Sequence, residues 1–478
     1  MKKRATKNKR RAIALLFGLF LLAVFELLLR LFNVAPPERP VSDVFAGHDR
    51  LFLQNGKTLS TNPDKKKYFI YQSFPKEKKQ ETLRIFVTGG SAAMGFPLQE
   101  FYSPDRLLSE ALNAVETGRG HEVINAGGFG YASYRLIPVV EELLGYNPDA
   151  IVLLTGNNEF LERRFESVTE TGGRKLLHNL RLYRVFVGAV YLVNGKGGEV
   201  NWDAHQAGER ERKLVKEDFR NNIEAVSRLC REHKVPLVIV VPPSNLKDYR
   251  PYGESPTGLE TMTEIDRLLK EKHYKNALAL IKANRRDRPD AWLLFEEGHV
   301  RAGLDNAGPS PQTLWTQARD LDPVPVRVLS PMQNSVRRMS APHKVATADA
   351  AAAFEDTAMV APGDQLFFDH CHPRPAGQRV LVMEILRALV GNDLVIAAPG
   401  WQKRAEKALE QAFHGLDDKA LARSYYQAAY EAGINMGRTC RGLRLVKTCL
   451  ELDPGHKKAR ALEERLRQDK DHYCLTGD

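Results

Sequence analysis

Five short apolar runs, separated by amphipathic stretches, restrict the fold of this chain more than any other feature of its sequence. The runs are LRIFVTGG, HEVINAGG, DAIVLLTG, VPLVIVVPP and HKVATADA, and stretches such as SPDRLLSEALNAV and DFRNNIEAVSRLCREH lie between them. Apolar strands that alternate with amphipathic helices are typical of a parallel sheet with helices on both faces. We therefore predict an α/β domain over residues 81–395, with ligands at the carboxyl edge of its sheet.

The first 33 residues predict a cytoplasmic tail followed by a membrane anchor. Seven Lys or Arg and no acidic residue occupy the first eleven positions, and the apolar stretch AIALLFGLFLLAVFELLLRLF follows at residues 12–32. As a helix this stretch would span about 30 Å, the thickness of the hydrocarbon core of a bilayer. Because the basic residues come first, the rest of the chain is expected outside the cytoplasm, in the periplasm if the cell is Gram-negative. A cleaved signal peptide and a buried core helix are the alternatives.

Residues 34–80 predict a juxtamembrane stalk. This segment mixes Pro, Lys, Asp and Asn, as in APPERPVSD and TNPDKKKYF, and its pattern indicates one short strand. Regular organisation begins only after it.

The net charge of +11 does not indicate a nucleic-acid partner. Seven basic residues lie in the first eleven positions, which leaves about +4 for the other 467 residues. An excess of that size is ordinary for a globular chain. We therefore expect no nucleic acid among the partners.

Two helical segments depart from the α/β pattern, an insertion at residues 263–305 and a C-terminal segment at residues 400–470. In each, a small residue is followed twelve residues later by a proline: Ala277 by Pro289, and Gly442 by Pro454. This spacing resembles tetratricopeptide helix pairs, in which the small residue allows close packing. The resemblance implies a surface for a protein partner, and generic helical hairpins are the alternative.

The five cysteines, at positions 230, 371, 440, 449 and 474, form no CxxC metal pattern. Cys440 and Cys449 lie nine residues apart in one predicted helical region. Outside the cytoplasm they could form a disulfide, and two buried apolar thiols are the alternative.

Residues that follow three of the predicted strands mark a candidate catalytic site. Ser91, in VTGGSAAMG, stands at a tight strand-to-helix turn, where its own N–H is free at the helix N-terminus. Gly130, in NAGGFGYAS, and Asn158, in TGNNEF, follow the next two strands and offer an N–H and an amide to a bound oxyanion. Near the end of the domain, DHCHP contains Asp369 and His372. Such an Asp-x-x-His pair can hold the imidazole by its Nδ1–H and leave Nε2 to take the serine proton.

The run DHCH also raises the question of a metal site. Residues adjacent in sequence rarely point at one ion, and no motif such as HExxH accompanies them, so we predict neither a metal nor a cofactor. His370 and Cys371 are interpreted as structural, one facing the core and the other facing solvent. Asp349 follows another predicted strand, where a helix N-cap is favoured over a role as the triad acid.

This set of residues resembles the SGNH/GDSL hydrolase family. The four blocks of that family match Ser91 in GGSAAMG, Gly130 in NAGGFG, Asn158 in GNNE and His372 in DHCHP, with Asp369 as the third triad member. The match extends over residues 83–392, apart from the helical insertion. Gly-Gly-Ser replaces the family's Gly-Asp-Ser, and the residue after Asn158 is Glu where Asp is common.

The resemblance implies a flavodoxin-like three-layer α/β/α fold and a serine mechanism. Ser91 would be the nucleophile, His372 the general base and then acid, and Asp369 the group that orients the imidazole. The N–H groups of Ser91 and Gly130 and the Asn158 amide would form the oxyanion hole.

Behind a membrane anchor, this site predicts an extracytoplasmic serine esterase or deacylase that acts on an acyl ester, with O-acylated glycans as one substrate class. An O-acyltransferase that passes the acyl group to a polysaccharide is one alternative, because only the acceptor differs. An assembly or scaffold protein with an inactive hydrolase domain is the other alternative, since the helical segments could hold partners.

Overall fold

The computed structural model describes residues 17–18, 21–31, 50–99, 101–116, 118–162, 181, 205–253, 255–285, 289–304, 308–343, 345–415 and 417–468. The chain divides into two compact units, Met1–Asp49 with Arg163–Asn201 and Arg50–Glu162 with Trp202–Asp478. In the first unit, residues 21–31 are helical. Within the described part of the chain, no helix combines the length and the apolar character that are needed to cross a membrane. The predicted basic tail, parts of the predicted anchor and the start of the predicted stalk lie outside the described residues.

The described residues of the second unit contain two sheets. Their strands are β1 (Phe52–Asn55), β2 (Thr58–Thr61), β3 (Ser73–Pro75), β4 (Thr82–Gly89), β5 (Gly120–Gly127), β6 (Ala150–Leu154), β7 (Leu237–Val240) and β8 (Ala346–Ala348). Strands β4 to β8 form one parallel sheet in the order β5-β4-β6-β7-β8. The predicted parallel α/β sheet is therefore confirmed. In this doubly wound order the chain changes direction between β4 and β6, which is where such sheets bind ligands.

Helices of the second unit cover this sheet and extend beyond it. They are α1 (Ser91–Met94), α2 (Pro104–Val115), α3 (Ser133–Leu144), α4 (Glu209–Glu232), α5 (Leu259–Lys270), α6 (Tyr274–Ala283), α7 (Ala291–Ala302), α8 (Pro311–Leu321), α9 (Ser330–His343), α10 (Ala350–Thr357), α11 (Pro375–Gly391), α12 (Trp401–His414), α13 (Asp418–Tyr430), α14 (Thr439–Leu452) and α15 (Lys457–Arg467). Helices α2 and α11 share one apolar core with β4, β6 and β7, whereas α3, α4 and α9 pack together as a second group.

The sequence pattern explains why these elements form. Every residue of β6 and β7 is buried, as expected for strands that are covered on both faces. In α2 the buried residues Leu107, Leu108, Ala111, Leu112 and Val115 recur at helical spacing and form one apolar stripe. Strands β4, β6 and β7 and helices α2 and α11 therefore bury complementary apolar faces in one core.

Residues 50–75 correct the prediction of a stalk with one strand. They form the antiparallel sheet β1-β2-β3, which belongs to the folded unit. The Glu142 carboxylate of α3 accepts hydrogen bonds from the N–H groups of Leu51 and Phe52, at 2.7 and 2.9 Å. The rings of Phe52 and Phe74 pack edge to face, with centroids 5.0 Å apart. Each short strand buries only one or two apolar side chains, which is why the sequence pattern did not indicate them.

Two groups of helices account for the predicted helical segments. Helices α5 to α9 lie between β7 and β8, and α5, α6 and α7 enclose a small core of their own. Helices α12 to α15 instead contribute residues to the main core of the α/β domain. Gly442 of α14 allows close packing, because a Cβ there would lie 2.8 Å from the Cα of Gly433. The resemblance of both segments to tetratricopeptide pairs stays a prediction.

The cysteines bear on one further prediction. Cys449 has a free and buried thiol, as do Cys230 and Cys371, whereas Cys440 is disulfide-bonded. A disulfide between Cys440 and Cys449 is therefore wrong, and the alternative of a buried thiol is confirmed for Cys449.

Candidate active site

Ser91 lies where β4 turns sharply into the short helix α1. Gly89 has a φ of 151°, and a Cβ there would lie 1.8 Å from the Leu154 carbonyl oxygen, so a side chain has no room. A Cβ on Gly90 would lie 2.5 Å from Nδ2 of Asn158. Glycine in place of the Asp of Gly-Asp-Ser therefore leaves room for the close approach of the Asn158 amide to the serine turn.

Ser91, His372 and Asp369 form a continuous chain of hydrogen bonds. Nε2 of His372 lies 2.7 Å from Oγ of Ser91, and its Nδ1 lies 2.6 Å from Oδ2 of Asp369. The other carboxylate oxygen, Oδ1, accepts hydrogen bonds from the backbone N–H groups of Cys371 and His372, at 3.0 and 2.9 Å. The fold thus brings these three sequence-predicted residues into direct contact, and it fixes the carboxylate through both oxygens.

Burial and the contact between Asp369 and His372 together shift the pKa values of these two side chains. Burial acts to raise the pKa of Asp369, but the adjacent imidazoles of His372 and His370 hold that pKa well below its ordinary value. Burial acts to lower the pKa of His372, but the Asp369 carboxylate holds that pKa well above its ordinary value. His372 is therefore a stronger base than an isolated imidazole, and its protonated form is stabilised by the carboxylate.

His370 and Cys371 are both buried, so the prediction that one of them faces solvent is wrong. The turn that contains them folds inward, and the Tyr249 ring lies 5.5 Å from the ring of His370. Burial lowers the pKa of His370 to about 3 and raises the pKa of the Cys371 thiol, so both side chains are neutral near pH 7.

A metal ion is not needed to explain the DHCH cluster. One ligand atom from each of Asp369, His370, Cys371 and His372 lies within 4.8 Å of the others. However, both ring nitrogens of His372 already bind Ser91 and Asp369, and both oxygens of Asp369 already accept hydrogen bonds. The ligand atoms of two of the four groups, Asp369 and His372, are therefore already engaged in the hydrogen-bond chain.

Three hydrogen-bond donors near Ser91 could bind an oxyanion. Among the described residues, neither the N–H of Ser91 nor that of Gly130 has an acceptor. Gly130 has a φ of 74°, a left-handed conformation that favours glycine. Nδ2 of Asn158 donates one hydrogen to the Tyr131 carbonyl at 2.9 Å, which orients the amide and leaves its second hydrogen for a ligand.

Two other acidic residues have structural positions. Glu159 accepts hydrogen bonds from the N–H and the Oγ of Ser133, each at 2.8 Å, and so holds the N-terminus of α3. Asp349 caps α10 by accepting from the N–H of Ala352 at 3.1 Å. The predicted N-cap at Asp349 is confirmed, and Asp369 occupies the place beside the imidazole.

The C-terminal helices help to fix the turn that carries Asp369 and His372. Arg441 of α14 is fully buried and donates to the Asp364 carboxylate and to the Phe368 carbonyl, both at 2.9 Å. From the carboxyl end of β7, Asn245 donates to the Asp369 carbonyl at 3.0 Å. The turn is therefore held both by the sheet edge and by a helix that follows it in the chain.

A cavity of about 30 Å³ borders Ser91, Asn158 and His372. Its lining also includes Glu431, Asn435 and Met436, which lie in and directly after the π-helical turn Glu431–Asn435 that connects α13 to α14. Sequence reasoning did not identify these residues. Nothing in the helical pattern of residues 400–470 distinguishes a side chain that faces a distant serine from one that packs against a neighbouring helix.

The amide of Asn158 gives a first testable prediction. We expect Asn158→Ala to lower kcat by about 10²- to 10³-fold, because one donor to the developing oxyanion is lost. Steady-state ester hydrolysis measures the effect. As a matched control, Asn113→Ala on the exposed side of α2 should leave kcat unchanged. If the Asn158→Ala variant has the same kcat as the wild-type protein, the Asn158 side chain is not part of the oxyanion hole.

Comparison with known proteins adds no family assignment. The chain matches no protein-family model, and no curated protein resembles it significantly. Solved structures that align with it include a putative GDSL-like lipase from Parabacteroides merdae, with a TM-score of 0.32 and 13% identity over 66% of this chain and 98% of that one. The lipase/acylhydrolase from Enterococcus faecalis aligns with a TM-score of 0.30 and 14% identity, over 66% of this chain and 100% of that one. The acetylxylan esterase Axe2 from Geobacillus stearothermophilus aligns with a TM-score of 0.29 and 13% identity, over 66% of this chain and 96% of that one. TM-scores this low do not establish a common fold.

Proposed function

We propose that this protein is a serine hydrolase that cleaves acyl esters. The observation that carries the proposal is the unbroken hydrogen-bond chain from Ser91 Oγ through His372 to Asp369. A hydroxyl, an imidazole and a carboxylate in this order are the parts that activate a serine nucleophile. The donors on Ser91, Gly130 and Asn158 supply the complementary requirement, which is stabilisation of the oxyanion.

In the proposed mechanism, Oγ of Ser91 attacks the ester carbonyl carbon while Nε2 of His372 takes the hydroxyl proton. The carbonyl oxygen becomes an oxyanion, held by the N–H groups of Ser91 and Gly130 and by the Asn158 amide. As the tetrahedral intermediate collapses, the bond to the alcohol breaks and His372 gives its proton to the departing oxygen. Water then enters, loses a proton to His372 and attacks the acyl carbon. The bond between that carbon and Oγ of Ser91 breaks, His372 gives its proton to Oγ, and the acid leaves.

We place this activity outside the cytoplasm, behind an anchor at residues 12–32, with O-acylated glycans as the substrate class. The basic tail that precedes the apolar stretch supports this location. Transfer of the acyl group to a polysaccharide hydroxyl is the second candidate reaction. Both reactions pass through the same acyl-enzyme and differ only in the acceptor, so the burial of Ser91 and His372, which are 6% and 3% exposed, does not distinguish them.

Covalent labelling of the full-length protein tests the proposal. A fluorophosphonate probe should modify Ser91, with the modified peptide identified by mass spectrometry, because only an activated serine reacts with such probes. Ser244 offers a matched control. It follows β7 at the same sheet edge, is buried, and its Oγ has no hydrogen-bond partner among the described residues. Ser244→Ala should keep the label and Ser91→Ala should lose it.

The alternative of an inactive scaffold predicts the opposite outcome. If a folded protein remains unlabelled at Ser91 under conditions that saturate a known serine esterase, the proposed function is wrong.

A further inference from the structure

The cavity beside Ser91 is lined in part by a carboxyl group that the hydrolytic mechanism does not use. Glu431 opens the π-helical turn Glu431–Asn435 and, like Ser91 and His372, lines this cavity. Single π-helical turns within helices are costly and occur frequently at functional sites. Here the turn brings Glu431, Asn435 and the following Met436 to one wall of the cavity. The C-terminal helical segment therefore contributes to the site as well as supporting it.

Glu431 has an unusual environment for a carboxyl group. Its side chain is buried, with the residue 8% exposed, and Oε2 accepts a hydrogen bond from Nδ2 of Asn435 at 2.6 Å. Among the described residues, no Lys or Arg pairs with it, and Oε1 has no donor. Burial raises the pKa of Glu431, and the nearby Asp369 acts in the same direction, whereas the hydrogen bond from Asn435 and the nearby His372 act to lower that pKa. A largely buried carboxyl with an unused oxygen is costly unless water or a ligand supplies a donor.

The size of the cavity indicates which part of the substrate supplies that donor. The cavity is small, at about 30 Å³. A short acyl group fits a space of this size better than a sugar ring does. This favours placing the acyl part of the ester in the cavity and the larger alcohol part outside it.

We propose that Glu431 is a specificity residue that selects a short acyl group with a hydrogen-bond donor, a hydroxyl or an ammonium, on the carbon next to the ester carbonyl. This inference rests on the proposed hydrolase function. A donor at that carbon would reach Oε1 of Glu431 across the cavity while Ser91 attacks the carbonyl. A plain hydrocarbon substituent there would leave the buried carboxyl unsatisfied, and a longer chain would exceed the space. An ammonium would in addition neutralise the carboxylate.

Four benzyl esters test the proposal with one leaving group and the full-length protein. They are the esters of glycine, glycolic acid, acetic acid and butyric acid, with kcat/KM measured from benzyl alcohol release. The kcat/KM for the glycine or the glycolate ester should exceed that for the acetate ester by about 10-fold or more, in line with a hydrogen bond to a charged group. Preference for the glycine ester identifies the donor as an ammonium, and preference for the glycolate ester identifies a hydroxyl.

Variants of Glu431 distinguish a change in acyl-group specificity from a general loss of activity. Glu431→Gln keeps the shape of the side chain but removes its charge. It should lower the ratio of kcat/KM for the glycine ester to kcat/KM for the acetate ester by about 10-fold or more. Glu431→Leu should lower the ratios for both donor-bearing esters. As a control, Glu451→Gln on the exposed side of α14 should leave all ratios unchanged.

Several outcomes would overturn the inference. One is a wild-type enzyme that cleaves the acetate or the butyrate as well as the donor-bearing esters. Another is a Glu431→Gln or Glu431→Leu variant that loses activity equally on all four esters, because that result indicates a structural role. If the wild-type protein cleaves no ester and Ser91 stays unlabelled, the hydrolase proposal itself fails and takes the inference with it.

Discussion

Replacement of Ser91 by alanine is expected to abolish ester hydrolysis, with a loss in kcat of about 10⁶-fold, as found when the nucleophile of a serine triad is removed. The physical reason is that the covalent route disappears entirely. Without Oγ, nothing lies 2.7 Å from Nε2 of His372 to be activated, and only substrate binding and the oxyanion donors remain. Hydrolysis of a p-nitrophenyl ester by the full-length protein measures the effect.

The Ser91→Ala protein should remain folded, which circular dichroism and thermal unfolding can verify. Removing one hydroxyl from a turn that glycines shape leaves the backbone of β4 and α1 in place. Ser227→Ala is a suitable control, because Ser227 is a buried serine on α4, and its Oγ has no hydrogen-bond partner among the described residues. Should the Ser91→Ala protein hydrolyse the ester as fast as the Ser227→Ala protein, Ser91 cannot be the nucleophile.

Asp369→Asn is expected to lower kcat by about 10⁴-fold while the fold is retained. An asparagine can still accept the two backbone N–H bonds that Oδ1 now accepts from Cys371 and His372. It can also present its NH₂ group to Nδ1 of His372, which favours the wrong tautomer, and its neutral amide does not stabilise the imidazolium. The control is Asp349→Asn, because Asp349 caps α10 and has no contact with the imidazole.

The pH dependence of kcat/KM should change in a defined direction in the same variant. His372 must be neutral to accept the serine proton, so activity rises as pH increases through its pKa. The Asp369 carboxylate holds that pKa well above the ordinary value, against the effect of burial. Without the carboxylate, burial lowers the pKa, and the rise in activity should move to lower pH. A pH profile that is unchanged in Asp369→Asn would show that this carboxylate does not act on the catalytic imidazole.

The local pattern of the sequence was sufficient to predict the parallel sheet and the loops that follow its strands. Runs such as AIVLL of β6 are apolar throughout because both faces of the sheet are covered. Parallel strands end at one edge, so Ser91, Gly130 and Asn158 could be assigned to the same region before any contact was known. The pairing of Asp369 with His372 was equally local, because only two residues of one turn lie between them.

Other features depended on contacts between distant segments. The strands β1 to β3 looked like a stalk because their stability comes from Glu142 and from aromatic packing with the body of the domain. His370 and Cys371 are both buried because Tyr249 and the C-terminal helices cover their turn. No local sequence pattern predicts this burial, because it depends on contacts with segments that are distant in the sequence.

The sequence by itself determined the alternation of strands and helices from β4 onward and the residue types available for acyl chemistry, because hydrophobic periodicity and turn composition act over a few neighbouring residues. Only the tertiary structure decided that a hydroxyl and an imidazole 281 positions apart lie 2.7 Å from each other. It also decided that Glu431, on a helical segment with no sequence signal of a site, lines the cavity beside them. Distances of this kind arise when separate helices and strands pack to bury their apolar faces, and that packing is a property of the whole chain.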